Sequence, residues 1–208
     1  MKRAITIILA FAMVFSMAAL SPAAYAEDGF GTGSIQDNVY WNETMKIGCT
    51  LDENWYFYSE EEILEANGMT AELLEGKIAE IIENGGVITD MFAQNLQTGA
   101  TLNVVFERLS LANSLLYDEE RYLQASFGTV KDAFSQIGIE NVEITVQEKE
   151  FMGQTHYCGI ITGLYNDVPV YEQVAVVKTG RNMTVVTVFS VLEEEVDAVL
   201  SSFFNTLD

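Results

Sequence analysis

The stretches Val174-Ala175-Val176-Val177 and Val185-Val186 are apolar at odd and even positions alike. Successive side chains of a strand point to opposite faces, so such runs predict strands covered on both sides. The centre of the fold is therefore expected to be a sheet with one layer above it and another below. The two runs fall in strands expected over residues 170–178 and 183–189, joined by the turn "TGRN".

The rest of the chain supplies the material for those layers. Met45, Ile47, Cys49 and Leu51 alternate with polar or small residues, the period of a half-buried strand. "LDEN" turns into a short strand over 55–58. Helical segments are expected over 60–66 and 71–83, the second with Leu74, Ile78, Ile81 and Ile82 on one face. Strands over 87–96 and 101–108 flank the hairpin turn "QTGA". A long helix over 119–137 carries the stripe Leu123, Phe127, Val130, Phe134 and Ile137, with Gly138 beyond its end. Strands over 142–148 and 155–164 open a four-strand meander, and a final helix over 192–207 has Leu192, Val196, Val199, Leu200, Phe203 and Phe204 along one side. This order predicts an α+β fold, an antiparallel-rich sheet with helices on both faces.

Both ends of the composition bear on location and partners. Lys2 and Arg3, the apolar run 4–20 and the triplet Ala24-Tyr25-Ala26 are the parts of a secretory signal peptide. Cleavage is expected after Ala26, with no cysteine at the junction for a lipid anchor. Residues 27–39, "EDGFGTGSIQDNV", then read as a flexible linker, and 40–208 as a single domain. Gly29, Gly31 and Gly33 mimic a phosphate loop but follow a cleavage site rather than a buried strand. The full chain has 10 lysines and arginines against 31 acids, a net charge of −21; the signal peptide removes two cations and no acid, leaving −23. That balance argues against nucleic-acid or anionic-membrane binding. No later segment is long and apolar enough to span a membrane, so the expected location is outside the bacterial cell or at its envelope.

The acidic clusters invite a metal or catalytic reading, yet their positions point to helix starts. In "WYFYSEEEILEANG", Ser59 with Glu62 three residues later forms a capping box, and Tyr58 with Ile63 a hydrophobic staple. Asp118 precedes Glu119 and Glu120 in the same way, and Ser190 precedes Glu193, Glu194 and Glu195. Acids in a first helical turn gain about 0.3–1 kcal/mol from the helix dipole. No calcium loop is present, and a single histidine, His156, excludes zinc sites that need two. No cofactor is implied. His156 and Cys158 share one strand face, a spacing without a catalytic precedent.

Four features remain as candidate functional elements. Cys49 and Cys158, in an exported chain, are a disulfide candidate that would stabilise by about 4–5 kcal/mol; two buried thiols are the alternative. Tyr40 and Trp41 near the first strand, and Tyr165 and Tyr171 beside a hairpin turn, are candidates for an aromatic recognition patch, against ordinary packing. Asp90 and Glu107 on adjacent strands are a candidate carboxylate pair for hydrolysis. The two Asn-x-Thr sequons, at Asn42 and Asn182, carry little weight in a bacterial chain.

The segment "YWNETMKIGCTLDENWYF", then helices, the two-strand unit "ITDMFAQNLQTGATLNVVFE", a long helix, four strands and a C-terminal helix resemble the PsbP-like fold across residues 40–208. The resemblance implies an α/β/α sandwich, and members that mostly act by binding rather than catalysis; no functional residue transfers. The expectation is therefore a secreted, non-catalytic binding or accessory module, its partner an unknown protein, an envelope polymer or a small ligand. The alternative is a secreted hydrolase using a carboxylate pair.

Overall fold

The computed structural model describes residues 33–59, 61–63 and 87–206. The signal peptide, the Gly29–Gly31 stretch and nearly all of the helices expected over 60–66 and 71–83 lie outside the described residues. Two antiparallel sheets and several helices make a mixed α+β fold.

The larger sheet has seven strands in the order β4-β5-β6-β10-β9-β8-β7. They are β4 (Trp55–Phe57), β5 (Val87–Asn95), β6 (Thr101–Arg108), β7 (Ile139–Phe151), β8 (Gln154–Tyr165), β9 (Val168–Thr179) and β10 (Asn182–Ser190). β10 is the middle strand, and every residue from Met183 to Val188 is buried. The double-sided apolar runs thus occupy the place where a sheet has a layer on each side. Val174, Val176 and Val185 contribute to one core, whereas Ala175, Val186 and Val188 contribute to the other.

The second core joins the sheet to helix α2 (Glu119–Gln136), which follows the short helix α1 (Leu111–Leu116). Tyr122, Leu123, Ser126, Val130 and Phe134 are the buried positions of α2, close to the expected stripe. Asp118 caps its start by accepting the Arg121 amide at 2.8 Å. The first core joins the sheet to helix α3 (Glu193–Ser201) and to a second sheet of order β1-β2-β3-β11.

That smaller sheet corrects two expectations. Residues 34–39, read as linker, form β1 (Ser34–Gln36) and the beginning of β2 (Val39–Asn42), joined through Asp37 and Asn38 at φ +49° and +63°. Asp and Asn tolerate the positive φ of a two-residue hairpin, so the polar composition marks a turn there. The helix expected to run to 207 ends at Ser201, and Phe203–Asn205 form β11 against β3 (Ile47–Thr50). Helical spacing put Phe203 and Phe204 on one face; strand alternation separates them. Phe203 is 6% exposed in the first core and Phe204 39% exposed above Gly48, whose missing side chain leaves room for the ring. The expected Ser190–Glu193 box also changes: Leu192 is the N-cap, and Ser190 Oγ donates to Glu195 at 2.6 Å while accepting the Leu192 amide. At Ser59 the box forms as expected, with Ser59 N donating to Glu62 at 2.8 Å and Glu62 N to Ser59 Oγ at 3.3 Å.

Among the described residues no helix is long and apolar enough to cross a membrane. The strand assignment of the C-terminus has a direct mutational signature. Phe203→Ala is expected to cost about 3–5 kcal/mol and Phe204→Ala only about 0.5 kcal/mol, measured by urea unfolding. Equal losses would restore the continuous helix.

Candidate functional site

A bulge in β5 between Thr89 and Met91 turns Asp90 out of the ladder and toward the smaller sheet. Its carboxylate accepts the Gly33 amide at 2.9 and 3.0 Å, the Tyr40 hydroxyl at 2.6 Å and the Asn42 side-chain amide at 2.9 Å. Only glycine fits at position 33, where a Cβ would collide with the Tyr40 ring and stand 2.6 Å from Asp90. Burial, reinforced by the neighbouring Asp90 charge, pushes the Tyr40 hydroxyl well above its ordinary pKa, so it remains a donor. Asn42 uses its other side-chain atom, Oδ1, to accept the Met45 amide at 2.9 Å, which shapes the β2–β3 turn.

Beyond that turn opens a cleft of about 280 Å³, lined by Thr44, Phe106, Arg108 and the β9–β10 hairpin residues Thr179, Gly180, Arg181 and Asn182. Strand register sets its floor. Arg108 stands opposite Asn182 across β6 and β10, and Asn182 opposite Thr179 across β10 and β9. Gly180, at φ +61°, completes the tight turn. Arg181 is clamped, donating from Nε at 3.0 Å and from a terminal nitrogen at 2.8 Å to the Leu109 carbonyl, while the Leu109 amide donates to the Arg181 carbonyl at 2.8 Å. Asn182 Oδ1 is buried with no hydrogen-bond partner among the described residues. In a chain with 31 acids and 10 lysines and arginines, this cleft brings two arginines to one place.

The carboxylate pair does not converge. Asp90 is held by β2 on the side of the first core, whereas buried Glu107 accepts the Tyr122 hydroxyl of α2 at 2.5 Å in the second. Carboxylates on opposite faces of a sheet cannot flank one glycosidic bond. The aromatic candidates separate as well. Tyr40 is fully buried, which corrects its place in a surface patch, because its hydroxyl is needed at Asp90. Tyr171 packs against the first core; Trp41 is half-buried, opposite Gly48, and Tyr165 is 36% exposed at a hairpin end.

Glu119 does more than open a helix. It accepts the Lys178 amide at 3.0 Å and the Tyr157 amide at 3.3 Å, and meets His156 Nδ1 at 3.0 Å, so it ties α2 to β8 and β9. Burial acts to raise its pKa, but these bonds outweigh it and hold the carboxyl below its ordinary range. Cys49 and Cys158 are free thiols buried in the first core, and the expected bridge between them is not formed in this structure. Burial pushes their pKa values up to about 12 and about 11, which keeps both as unreactive thiols. No group of three or more metal-ligating side chains occurs among the described residues.

Sequence reasoning missed Arg108, Arg181 and Asn182. A usable signal was present in "TGRN", where a cation sits in a hairpin turn, and in Arg108 at the end of the strand expected over 101–108.

No protein-family model matches the chain, and no curated protein matches it. Solved structures do. Cyanobacterial PsbP (CyanoP) from Synechocystis sp. PCC 6803 aligns over 88% of this chain and 98% of its own, at 16% identity and a TM-score of 0.50. LpqN, described as involved in cell envelope biogenesis of Mycobacterium tuberculosis, aligns over 75% of this chain and 76% of its own, at 10% identity and a TM-score of 0.40.

Tyr40→Phe removes a charge-assisted bond to Asp90 and is expected to destabilise by about 1.5–3 kcal/mol, read as a lower denaturant midpoint at unchanged slope. Glu172 is buried with Oε2 unpartnered among the described residues, and burial raises its pKa well above the ordinary value. The folded protein thus holds a proton that the unfolded chain releases, so stability falls as pH rises from the ordinary carboxylate range through the raised value. Glu172→Gln is expected to gain in thermal midpoint over the parent increasingly as pH rises above the ordinary carboxylate range; a constant difference would mean that Glu172 does not titrate differently on folding.

Proposed function

On this PsbP-like fold, we propose that the chain is an exported, non-catalytic binding module of the bacterial cell envelope, and that the cleft at the β9–β10 hairpin holds its ligand. The same reading takes the fold as an α/β/α sandwich. Export rests on the N-terminal Lys2-Arg3, the apolar run and Ala24-Tyr25-Ala26.

The observation that carries the binding role is a contrast in how polar groups are used. Asp90, Glu107, Glu119 and His156, the residues best suited to acid–base chemistry, are each bonded to groups that hold the fold together. The cleft instead presents Arg108 and the Thr179 side chain. Polar groups that converge on a concavity without being consumed by the fold are the mark of a recognition site.

Co-sedimentation of the purified protein with isolated envelope fragments tests this. Saturable association that a similarly acidic, unrelated protein lacks is the expected result. Association no greater than that control's would overturn the reading.

A further inference from the structure

Helix α1 is amphipathic in reverse. Leu111, Leu115 and Leu116 share one side of it and are 58%, 80% and 60% exposed, while its buried residue is Ser114. A surface helix ordinarily turns its apolar stripe to the core and its polar side to water. Among the large apolar residues described, only Leu96, at the far end of β6, is exposed to a similar extent. A single exposed leucine is unremarkable, whereas several gathered on one element mark an interaction surface.

The reversal is held by cations bonded to the helix backbone. Lys178 Nζ donates to the carbonyls of Ser114 and Tyr117 at 2.6 Å each, and Arg121 donates to that of Leu116 at 3.3 Å, so β9 and α2 both grip the C-terminal end of α1. At the other end Ser110 caps the helix and Arg181 holds the Leu109 carbonyl. The leucines cannot turn inward without breaking these bonds. Three of the ten lysines and arginines are thereby placed against the backbone that carries the leucines. The neighbouring acids are engaged: Asp118 accepts the Arg121 amide, Glu119 faces β8 and β9, and Glu120 accepts the Gln124 side-chain amide at 2.9 Å.

A partner that covers this surface is apolar beneath and anionic above. A second copy fits poorly, because three leucines offer a few hundred Å² against the roughly 800 Å² per partner of a stable interface, and each copy carries the same net negative charge. A phospholipid bilayer offers acyl chains beneath a layer of phosphates, and apolar insertion combined with cations is how a surface helix holds to one. Net negative charge opposes attraction to anionic lipid at a distance, yet charges beyond about 8 Å are largely screened at physiological ionic strength, so the local set governs contact. We propose that α1 docks the protein on a phospholipid bilayer, with Leu111, Leu115 and Leu116 entering the acyl boundary. The largely exposed Arg121 keeps donors for a headgroup phosphate, and Lys178 adds positive charge behind it. The leucines do not line the cleft, so this surface stands apart from the ligand site.

Flotation of the purified protein with vesicles of phosphatidylethanolamine and a minority of phosphatidylglycerol provides the test. The parent is expected to float with the vesicles. The triple variant Leu111→Ser, Leu115→Ser, Leu116→Ser is expected to lose about tenfold or more in partitioning, at an unchanged thermal midpoint because all three side chains are exposed. Leu96→Ser, which removes an equally exposed leucine elsewhere, is expected to float like the parent, and Arg121→Gln to partition more weakly. Leu115→Trp supplies a direct reporter, its fluorescence expected to shift to the blue when vesicles are added. A parent that does not float, a triple variant that floats as well as the parent, a loss as large in Leu96→Ser, or a Leu115→Trp signal unmoved by vesicles would each overturn the proposal. A concentration-dependent dimer that the triple variant disperses, without flotation of the parent, would assign the surface to a second copy instead.

Discussion

The Asp90 carboxylate holds the two sheets together at the end where the cleft opens. A β-bulge turns it out of the larger sheet, and three donors from the smaller sheet and its lead-in converge on it. A half-buried carboxylate gains from such donors, and Tyr40, fully buried, needs an acceptor for its hydroxyl, so each satisfies the other. Asn42 extends the bond network into the β2–β3 turn through the Met45 amide, which sets the position of Thr44 at the cleft rim. The site therefore inherits its shape from an interaction that is itself purely structural.

A comparable economy governs the other acids. Glu119 occupies a first helical turn, where the dipole favours it, and also gathers two strand amides and His156. Glu107 pairs with Tyr122 inside the second core. Carboxylates engaged by fixed donors have little left with which to bind or transform a ligand. Positive charge is scarce by comparison, and two arginines stand where the central strands end. The proposed ligand cleft of this acidic chain is thus marked by its cations rather than by its acids.

Legibility in the sequence followed the range of the interactions. The Ser59–Glu62 box and the Asp118 cap involve residues three apart, and both formed as read. Ser190 shows the same spacing to Glu193 but bonds to Glu195 instead, because the helix begins at Glu193, after the Leu192 cap. The stripe of α2 held, since a helix presents one face whatever it packs on. Phe203 and Phe204 did not, because a helical stripe and a pair of alternating strand residues look alike over so short a span, and pairing with Cys49 and Gly48 of β3 decided between them. The β1–β2 hairpin was hidden by a polar, glycine-containing composition whose Asp37-Asn38 turn only becomes visible once a partner strand exists.

By itself the sequence determined a sheet covered on both faces, since apolar runs at every position cannot be left in water, together with the local devices that begin two of its helices. Tertiary structure alone decided which polar groups were consumed and which remained available. Asp90 and Glu107 are near neighbours on paired strands, yet a bulge and the alternation of strand faces send them to different cores. Arg108 and Asn182 are 74 positions apart in the chain and stand opposite each other only because β6 and β10 pair. Whether a side chain is structural or free to bind depends on what lies across the strand from it, and that is a property of the register between distant segments.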